Sequence, residues 1–350
     1  MECTRCLLTS DVTNVENGYC DFCRMHDELE KLQPEGLEKI LAKVRKQKGY
    51  QVLIGISGGF DSAYLLWYTV HVLKLKPLVL HFDNGWNYPF AERNMMNLVY
   101  KLGVGLVRVY KDEYYDKLCG ALLLAGVKDA DIANDMYMAD IMQTTARKYK
   151  IKYVFNGHDY RTEGSTPIKW SYMDAKYIQS VYKWAYDEPL KTQHLQTFWK
   201  QIKSGIKQIR VFHYTEVPQI LKAAVLTELG FEDYPVKHGE NIYTKWVGYW
   251  LLPVKWGIDK RKVYLSAQIR SNYLSKEQAL KKLREPVDFE NEYIEQIEKT
   301  VGVTITQALN AEKHTYKDFD YYNFKRFKPL IWVMMKLKLV PYTFYKKYTQ

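Results

Sequence analysis

The sequence predicts an α/β fold: a doubly wound parallel sheet, preceded by a small four-cysteine module and followed by a mostly helical C-terminal region. Three observations carry this expectation. Short buried-strand patterns alternate with helical patterns between residues 51 and 156, as strands joined by crossover helices do. One of these strands runs through a two-glycine turn straight into a helix. Four of the five cysteines fall in the first 23 residues as two Cys-x2-Cys pairs.

Cys3 and Cys6 are separated from Cys20 and Cys23 by 13 residues, and Asn17-Gly18 supplies a hairpin turn that returns the second pair to the first. Four converging thiolates fill a tetrahedral zinc site and leave no open position, so a structural Zn2+ is expected. Two disulfides or an iron–sulfur cluster are the alternatives for the same sulfur set. Cys119, in an apolar run, reads as a buried small hydrophobe. Residues 24–47 follow as a charged helical linker, with Leu37, Ile40, Leu41 and Val44 at helical spacing and Pro34 as a break.

Residues 51–56 read as a buried strand leading into Ser57-Gly58-Gly59-Phe60-Asp61-Ser62 and a helix over 62–72. The two glycines allow positive φ and close backbone approach, and the amides of the turn and helix start point at an anion. Ser57 and Ser62 add hydroxyl donors. The pattern is neither Gly-x4-Gly-Lys-Ser/Thr nor Gly-x-Gly-x-x-Gly. Three more strands, 77–83, 106–110 and 152–156, alternate with helices over 90–102 and 131–148. Ligands of such sheets gather at the carboxyl ends of the strands, which places the glycine turn, Asp83 and Gly157-His158 together. Asp61 also has a simpler reading as a carboxylate at a helix start, and His158 as a core histidine.

Beyond Gly164 the chain turns aromatic and basic, with a helix expected over 169–186. The stretches 237–246 and 252–266 pack cations and hydroxyls densely enough to hold a polyanion. From Lys325 to Gln350 there are seven Lys or Arg and no acid, interleaved with Phe327, Leu330, Ile331, Trp332, Val333, Met334, Met335, Leu337, Leu339, Phe344 and Tyr345. Such a segment fits an interfacial helix on anionic lipid, or a terminal helix packed on the body or on a partner.

With 350 residues, 47% hydrophobic and 26% charged, the chain can bury a large core, and collagenous or disordered classes are excluded. No apolar stretch approaches the roughly 20 residues that span a bilayer. Nothing at Met1 to Cys6 resembles a secretory signal, so a cytoplasmic location is expected, at most peripheral to the inner face of the membrane. Net charge is 51 − 40 = +11, which favours an anionic partner.

Ser57-Gly58-Gly59-Phe60-Asp61-Ser62 resembles the PP-loop of the HUP-like ATP pyrophosphatases, which cleave ATP between its α and β phosphates. Lys237-His238-Gly239-Glu240 with Thr244, and Gly257-Ile258-Asp259-Lys260-Arg261 with Leu265-Ser266, resemble motifs of the N-acetyl sugar amidotransferases. That PP-loop family makes acetamidino sugars for lipopolysaccharide O-antigen and nonulosonic acids. The resemblance implies a zinc knuckle over 1–30, an ATP-binding domain over 31–165, an acceptor region over 166–290 and a basic aromatic extension over 291–350. It further implies ATP held by Ser57, Gly58, Gly59, Asp61, Ser62, Asp83, Gly157 and His158, with Asp61 placing Mg2+. His238, Glu240, Lys245, Asp259, Lys260, Arg261 and Ser266 would hold the acceptor, with Asp61, Lys260 and Arg261 catalytic. The partners it implies are an N-acetyl sugar, expected to be nucleotide-linked, and ammonia-supplying glutaminase and cyclase-like subunits; no nucleic acid is expected. The rival is a PP-loop tRNA-modifying enzyme, a thiolase or lysidine synthetase. It suits the charge, but thiolation calls for paired cysteines and only Cys119 stands outside the N-terminal set. A nucleotide-binding scaffold is the non-enzymatic alternative.

Overall fold

A computed structural model describes residues 1–195, 197, 200, 204–234, 236–337 and 342–349. The chain opens with a hairpin of β1 (Val15–Glu16) and β2 (Tyr19–Cys20). Asn17 and Gly18 in its turn have φ of 53° and 80°, as the twist of a two-residue hairpin requires. Helices α1 (Asp21–Leu29) and α2 (Pro34–Val44) follow. Pro34 sits in the first turn of α2, where a missing N–H leaves no bond unmade, so the expected break is the start of a new helix.

The central sheet contains β3 (Val52–Gly55), β4 (Pro77–Asp83), β5 (Gly105–Tyr110), β6 (Tyr153–Asn156) and β7 (Lys207–Arg210). Its order is β5-β4-β3-β6-β7 and every pair is parallel. The first four are the strands expected from apolar runs. β7, Lys-Gln-Ile-Arg, pairs on one side only, and such an edge strand needs no continuous apolar run. It lies beyond residue 165, so the sheet draws on the segment assigned from sequence to the acceptor region.

Side chains alternate between the two faces. Val52, Ile54, Val79 and Phe155 pack in one core with α2, α3 (Phe60–His71), α4 (Pro89–Leu102) and the helix Gln219–Glu228. Leu53, Leu78, Leu80, Phe82 and Val154 pack in the other with α5 (Glu113–Leu124), α6 (Ile132–Lys148) and α7 (Ala175–Tyr186). Cys119, on α5, is fully buried there, and burial pushes its thiol up. The helix expected from residue 169 begins at Ala175, because the Asp174 carboxylate caps it by accepting from the Lys176 and Tyr177 amides. The preceding loop is held by buried Asp129, which accepts from the Tyr172 amide at 2.9 Å.

Successive strands are added on one side of β3 and then, from β6, on the other. In open sheets of this kind ligands gather at such a reversal, outside the carboxyl ends of the strands, here β3 and β6. The distal half is mostly helical, from Ile242–Trp246 through Arg261–Arg270 and Lys276–Arg284 to Glu292–Val301 and Ile305–Asn310. Helices Lys328–Lys336 and Tyr342–Tyr348 close the chain, and Leu339 falls outside the described residues. Among the described residues no helix is long and apolar enough to cross a membrane.

Candidate functional site

The glycine turn leaves β3 at the switch point. Gly58 has φ of 81°, and a Cβ there would lie 2.2 Å from the Ala91 carbonyl oxygen. A Cβ at Gly59 would lie 2.5 Å from Glu240 Oε1. Gly58 therefore needs glycine for both conformation and backbone contact, whereas a side chain at Gly59 would have to displace the flexible Glu240 carboxylate. Ser57 Oγ accepts from the Gly59 amide at 3.2 Å and donates to Glu240 Oε1 at 2.9 Å. Ser62 Oγ accepts from the Ser57 amide at 3.4 Å and donates to the Gly59 carbonyl at 3.0 Å. The Phe60 amide, at the start of α3, donates to the Tyr234 hydroxyl at 3.1 Å. Groups an anion would meet at this helix start are thus covered by the Glu240 carboxylate and the Tyr234 phenol.

A buried charge cluster lies beside the turn. Lys237 Nζ is 2.8 Å from Asp61 Oδ2 and 3.2 Å from Glu163 Oε1. Lys222, fully buried in the helix Gln219–Glu228, is 3.1 Å from Asp159 Oδ2 and 3.8 Å from Asp61 Oδ1. Burial raises the Asp61 carboxyl, outweighing Lys237. Burial acts the same way on Glu163, but Lys237, His158 and His238 prevail and bring it down to about 2. On Lys237 burial is outweighed by Glu163 and Asp61, which push the ammonium up. Lys237 stood within a sequence motif without being taken as a site residue, whereas Lys222 lies in an ordinary helix and carried no sequence signal.

Gly157 ends β6 against α3: a Cβ there would meet the Asp61 carbonyl oxygen at 2.9 Å. Both ring nitrogens of His158 are taken up by groups outside the glycine turn. Its Nε2–H donates to the Gly164 carbonyl at 2.6 Å, leaving Nδ1 to accept from His213 Nε2–H at 3.1 Å. Burial lowers both histidines, His213 to about 3, so the pair is neutral near pH 7. Asp83, at the end of β4, takes Arg108 from β5 at 3.2 Å and the Gly85 amide at 3.1 Å. The loop after β4 pairs with the distal motif: the Tyr88 amide donates to the Glu240 carbonyl at 3.0 Å and the Ile242 amide to the Trp86 carbonyl at 2.7 Å. Between this loop and the glycine turn is a cavity of about 80 Å³ lined by Ser57, His81, Asn84, Asn134, His238 and Glu240. Glu240 is 7% exposed, and its Oε2 has no hydrogen-bond partner.

The remaining distal candidates divide. His238, with φ of 59°, lies against Tyr264. Lys260 stands within electrostatic reach of Asp131 and Asp135, at the start of α6. Burial raises Asp131 to about 7 against the pull of Lys260, while a hydrogen bond from Thr244 holds it down in part. Asp135, in the first turn of α6, is exposed. Neither acid belongs to a motif, so neither was expected. Lys245 is buried and meets Glu290 at 2.6 Å. Arg261 is held by Asp259 at 2.8 Å and donates to the carbonyls of Lys282, Leu283 and Glu285, tying two helices together. Ser266 is fully buried and accepts from the Leu7 amide at 3.1 Å.

Ser266 thereby anchors the cysteine module. The Sγ atoms of Cys3, Cys6, Cys20 and Cys23 lie within 4.8 Å of one another, three pairs at 3.5–3.6 Å, and all four residues are buried and unbridged. Four sulfurs about 2.3 Å from one tetrahedral ion stand about 3.8 Å apart, so the set fits a single ion. In a cubane cluster each thiolate takes a different iron and the sulfurs spread wider. Four thiolates around a divalent ion leave two negative charges, and the Arg270 and Arg5 guanidiniums lie within electrostatic reach of Cys6 and Cys23. A larger cavity, about 830 Å³, separates this module from residues 165–172 and 314–317, and no residue of the glycine turn lines it.

Residues 240–337 match the family model of the LPS biosynthesis protein WbpG-like, C-terminal domain. The distal segment is WbpG-like. It begins at Glu240, the residue that touches the glycine turn, and includes Lys245, Asp259, Lys260, Arg261 and Ser266. Among solved structures, the U34-tRNA thiolase NcsA from Methanococcus maripaludis with its [4Fe-4S] cluster is similar at 14% identity, over 90% of this chain and 97% of that one, with a TM-score of 0.35. The NMN synthetase of Francisella tularensis is 10% identical over 84% of this chain and 97% of its own, at 0.36. The NH3-dependent NAD synthetase of Campylobacter jejuni subsp. jejuni is 14% identical over 42% of this chain, at 0.31, and the chain spans 62% of that enzyme's length. No curated protein sequence matches the chain.

Proposed function

We propose that the chain is an ATP-dependent amidotransferase that converts the N-acetyl group of a sugar to an acetamidino group in surface-polysaccharide biosynthesis. The observation that carries this reading is the closure of the WbpG-like segment on the glycine turn through Glu240 and Ser57. The turn could offer a pyrophosphate the Gly58 and Gly59 amides and the Ser57 and Ser62 hydroxyls once these leave the internal bonds that hold them. Asp61 and Glu163 converge on one ammonium, and Asp61 Oδ1 is buried without a hydrogen-bond partner, so these are the carboxylates that would hold Mg2+. The ion would neutralise phosphate charge.

In the proposed reaction the acetamido oxygen attacks the α-phosphorus of ATP and pyrophosphate leaves. Ammonia then adds to the imidate carbon, and AMP departs with the former carbonyl oxygen. Positioning and charge neutralisation supply the catalysis, from the turn amides with Lys237 and Lys222 beside them. Lys260, His238, Asp131 and Asp135 form the proposed acceptor side. Asp131, titrating near 7, is suited to take the proton that the incoming ammonia sheds. Arg261 and Ser266 serve this site by holding the helices that carry Lys260. The four-cysteine ion, Zn2+ in this reading, is structural, and ammonia comes from separate glutaminase and cyclase-like subunits.

The test incubates the purified chain with ATP, Mg2+, ammonium and nucleotide-linked N-acetyl sugars. AMP release that requires the sugar, with a product lighter by the difference between O and NH, is expected. AMP release that appears with tRNA and not with sugars would overturn the reading in favour of a tRNA-modifying enzyme.

A further inference from the structure

We propose that the helix Lys328–Lys336 is a docking face for an anionic lipid surface. Ile331, 6% exposed, is its body-facing side chain. Leu330, Val333 and Leu337 follow at helical spacing on the opposite side and are 59%, 45% and 65% exposed, flanked by Trp332 and Phe327 at 46% and 56%. Large apolar side chains so concentrated in eleven residues need a cover. Around this stripe stand Lys325, Arg326, Lys328 and Lys336, all exposed, and no acid occurs from Lys325 to Gln350.

The charge pattern selects the occupant. A second copy docked on this face about a two-fold axis would set four cations against four cations, which opposes self-association. An anionic bilayer meets both demands, taking the apolar stripe into its acyl boundary and the cations at its headgroups. Lys336 Nζ lies 5.4 Å from the Trp332 ring centroid, an aromatic and basic pair suited to the headgroup level. The face is held rather than dangling. The Phe324 amide donates to the Tyr348 carbonyl at 2.7 Å, and Lys347 donates to the Met173 carbonyl while lying 4.8 Å from the Tyr172 ring centroid. The helix is nine residues long, so it lies on a surface and does not enter as a span.

The experiment is co-sedimentation of the full chain with vesicles of phosphatidylcholine alone or with phosphatidylglycerol added, together with quenching of tryptophan emission by brominated lipid. Binding is expected only with the anionic lipid. It should weaken by at least about tenfold in the triple variant L330S/V333S/L337S, and again in K325Q/R326Q/K328Q, with circular dichroism unchanged. W332F should lose most of the quenching. Three results would overturn the proposal: no binding to phosphatidylglycerol vesicles, binding that the apolar triple variant leaves intact (attraction by net charge alone), or a wild-type oligomer that this variant dissolves.

Discussion

Replacing Lys222 with methionine should lower folding stability by about 3–5 kcal/mol, the cost of leaving a buried charge without its partner. Lys222 has no exposed side-chain surface and Asp159 has 1%, with 3.1 Å between Nζ and Oδ2. At an effective dielectric of about 20, unit charges attract by about 5 kcal/mol at that distance, and the Asp61 contact at 3.8 Å contributes about 4. Desolvating the ammonium offsets much of this, so the intact cluster is close to neutral in net energy. The variant loses the attraction but keeps the carboxylates buried. Methionine follows the lysine stem, so packing above the Phe212 ring, 4.5 Å from Nζ, is retained and the deficit reports charge.

The assay is urea unfolding followed by circular dichroism for wild type, K222M, D159N and the double variant. In the double variant both members of the pair are neutral, and it should be more stable than the sum of the single losses predicts by about 2–3 kcal/mol. A K222M loss below about 1 kcal/mol, or additivity in the cycle, would refute the view that the turn rests on a buried ionic cluster.

Gly58→Ala should destabilise by about 2 kcal/mol or more and abolish the nucleotide-induced rise in Tm, since positive φ and the Ala91 carbonyl both exclude a methyl; an unchanged shift would contradict this. Cys20→Ser should remove the bound ion and, through the Leu7–Ser266 contact, lower the thermal midpoint; metal analysis showing no ion in wild type would remove the metal reading. His213 titrates near 3 in the fold and near 6.5 when unfolded, so the unfolded chain takes the proton first and stability falls as pH drops between those values, by a few kcal/mol at most. Urea unfolding across that window should show a shallower pH dependence in His213→Gln. Asp131→Asn should cut turnover by roughly a hundredfold and abolish a rise in activity as pH passes through about 7; a retained pH profile would assign the proton transfer elsewhere.

What could be read in the sequence was what local pattern dictates. Val52 to Gly55 announces a buried strand by composition, and the glycines after it announce an anion turn because few other turns need two glycines. The cysteine spacing is equally local. β7 escaped notice because its partner β6, not its own residues, makes it a strand. Lys222 and Asp131 escaped for a related reason: their importance comes from elements that meet only in the fold. Arg261 and Ser266 show the converse. Each sits in a distinctive motif, yet Arg261 spends its donors on carbonyls at a helix end and Ser266 lies fully buried under the cysteine module. A motif marks residues the fold needs, and ligand contact is only one such need.

Glu240 joins these threads. Its carboxylate lies beside Gly59 and accepts from the Ser57 hydroxyl, and its backbone is bonded to the loop after β4 through Tyr88. Two anions cannot share that space without a cation between them, so a nucleotide entering the turn must either bring a metal to Glu240 or push it aside. Tyr234 must also release the Phe60 amide for the helix start to serve a phosphate. Either response moves residues 236–242, which carry Lys237 and His238 and lead into the WbpG-like helices. In the proposed reaction, occupancy of the turn would therefore reach the proposed acceptor side by covalent continuity, and that side should take its final form only after the nucleotide is in place.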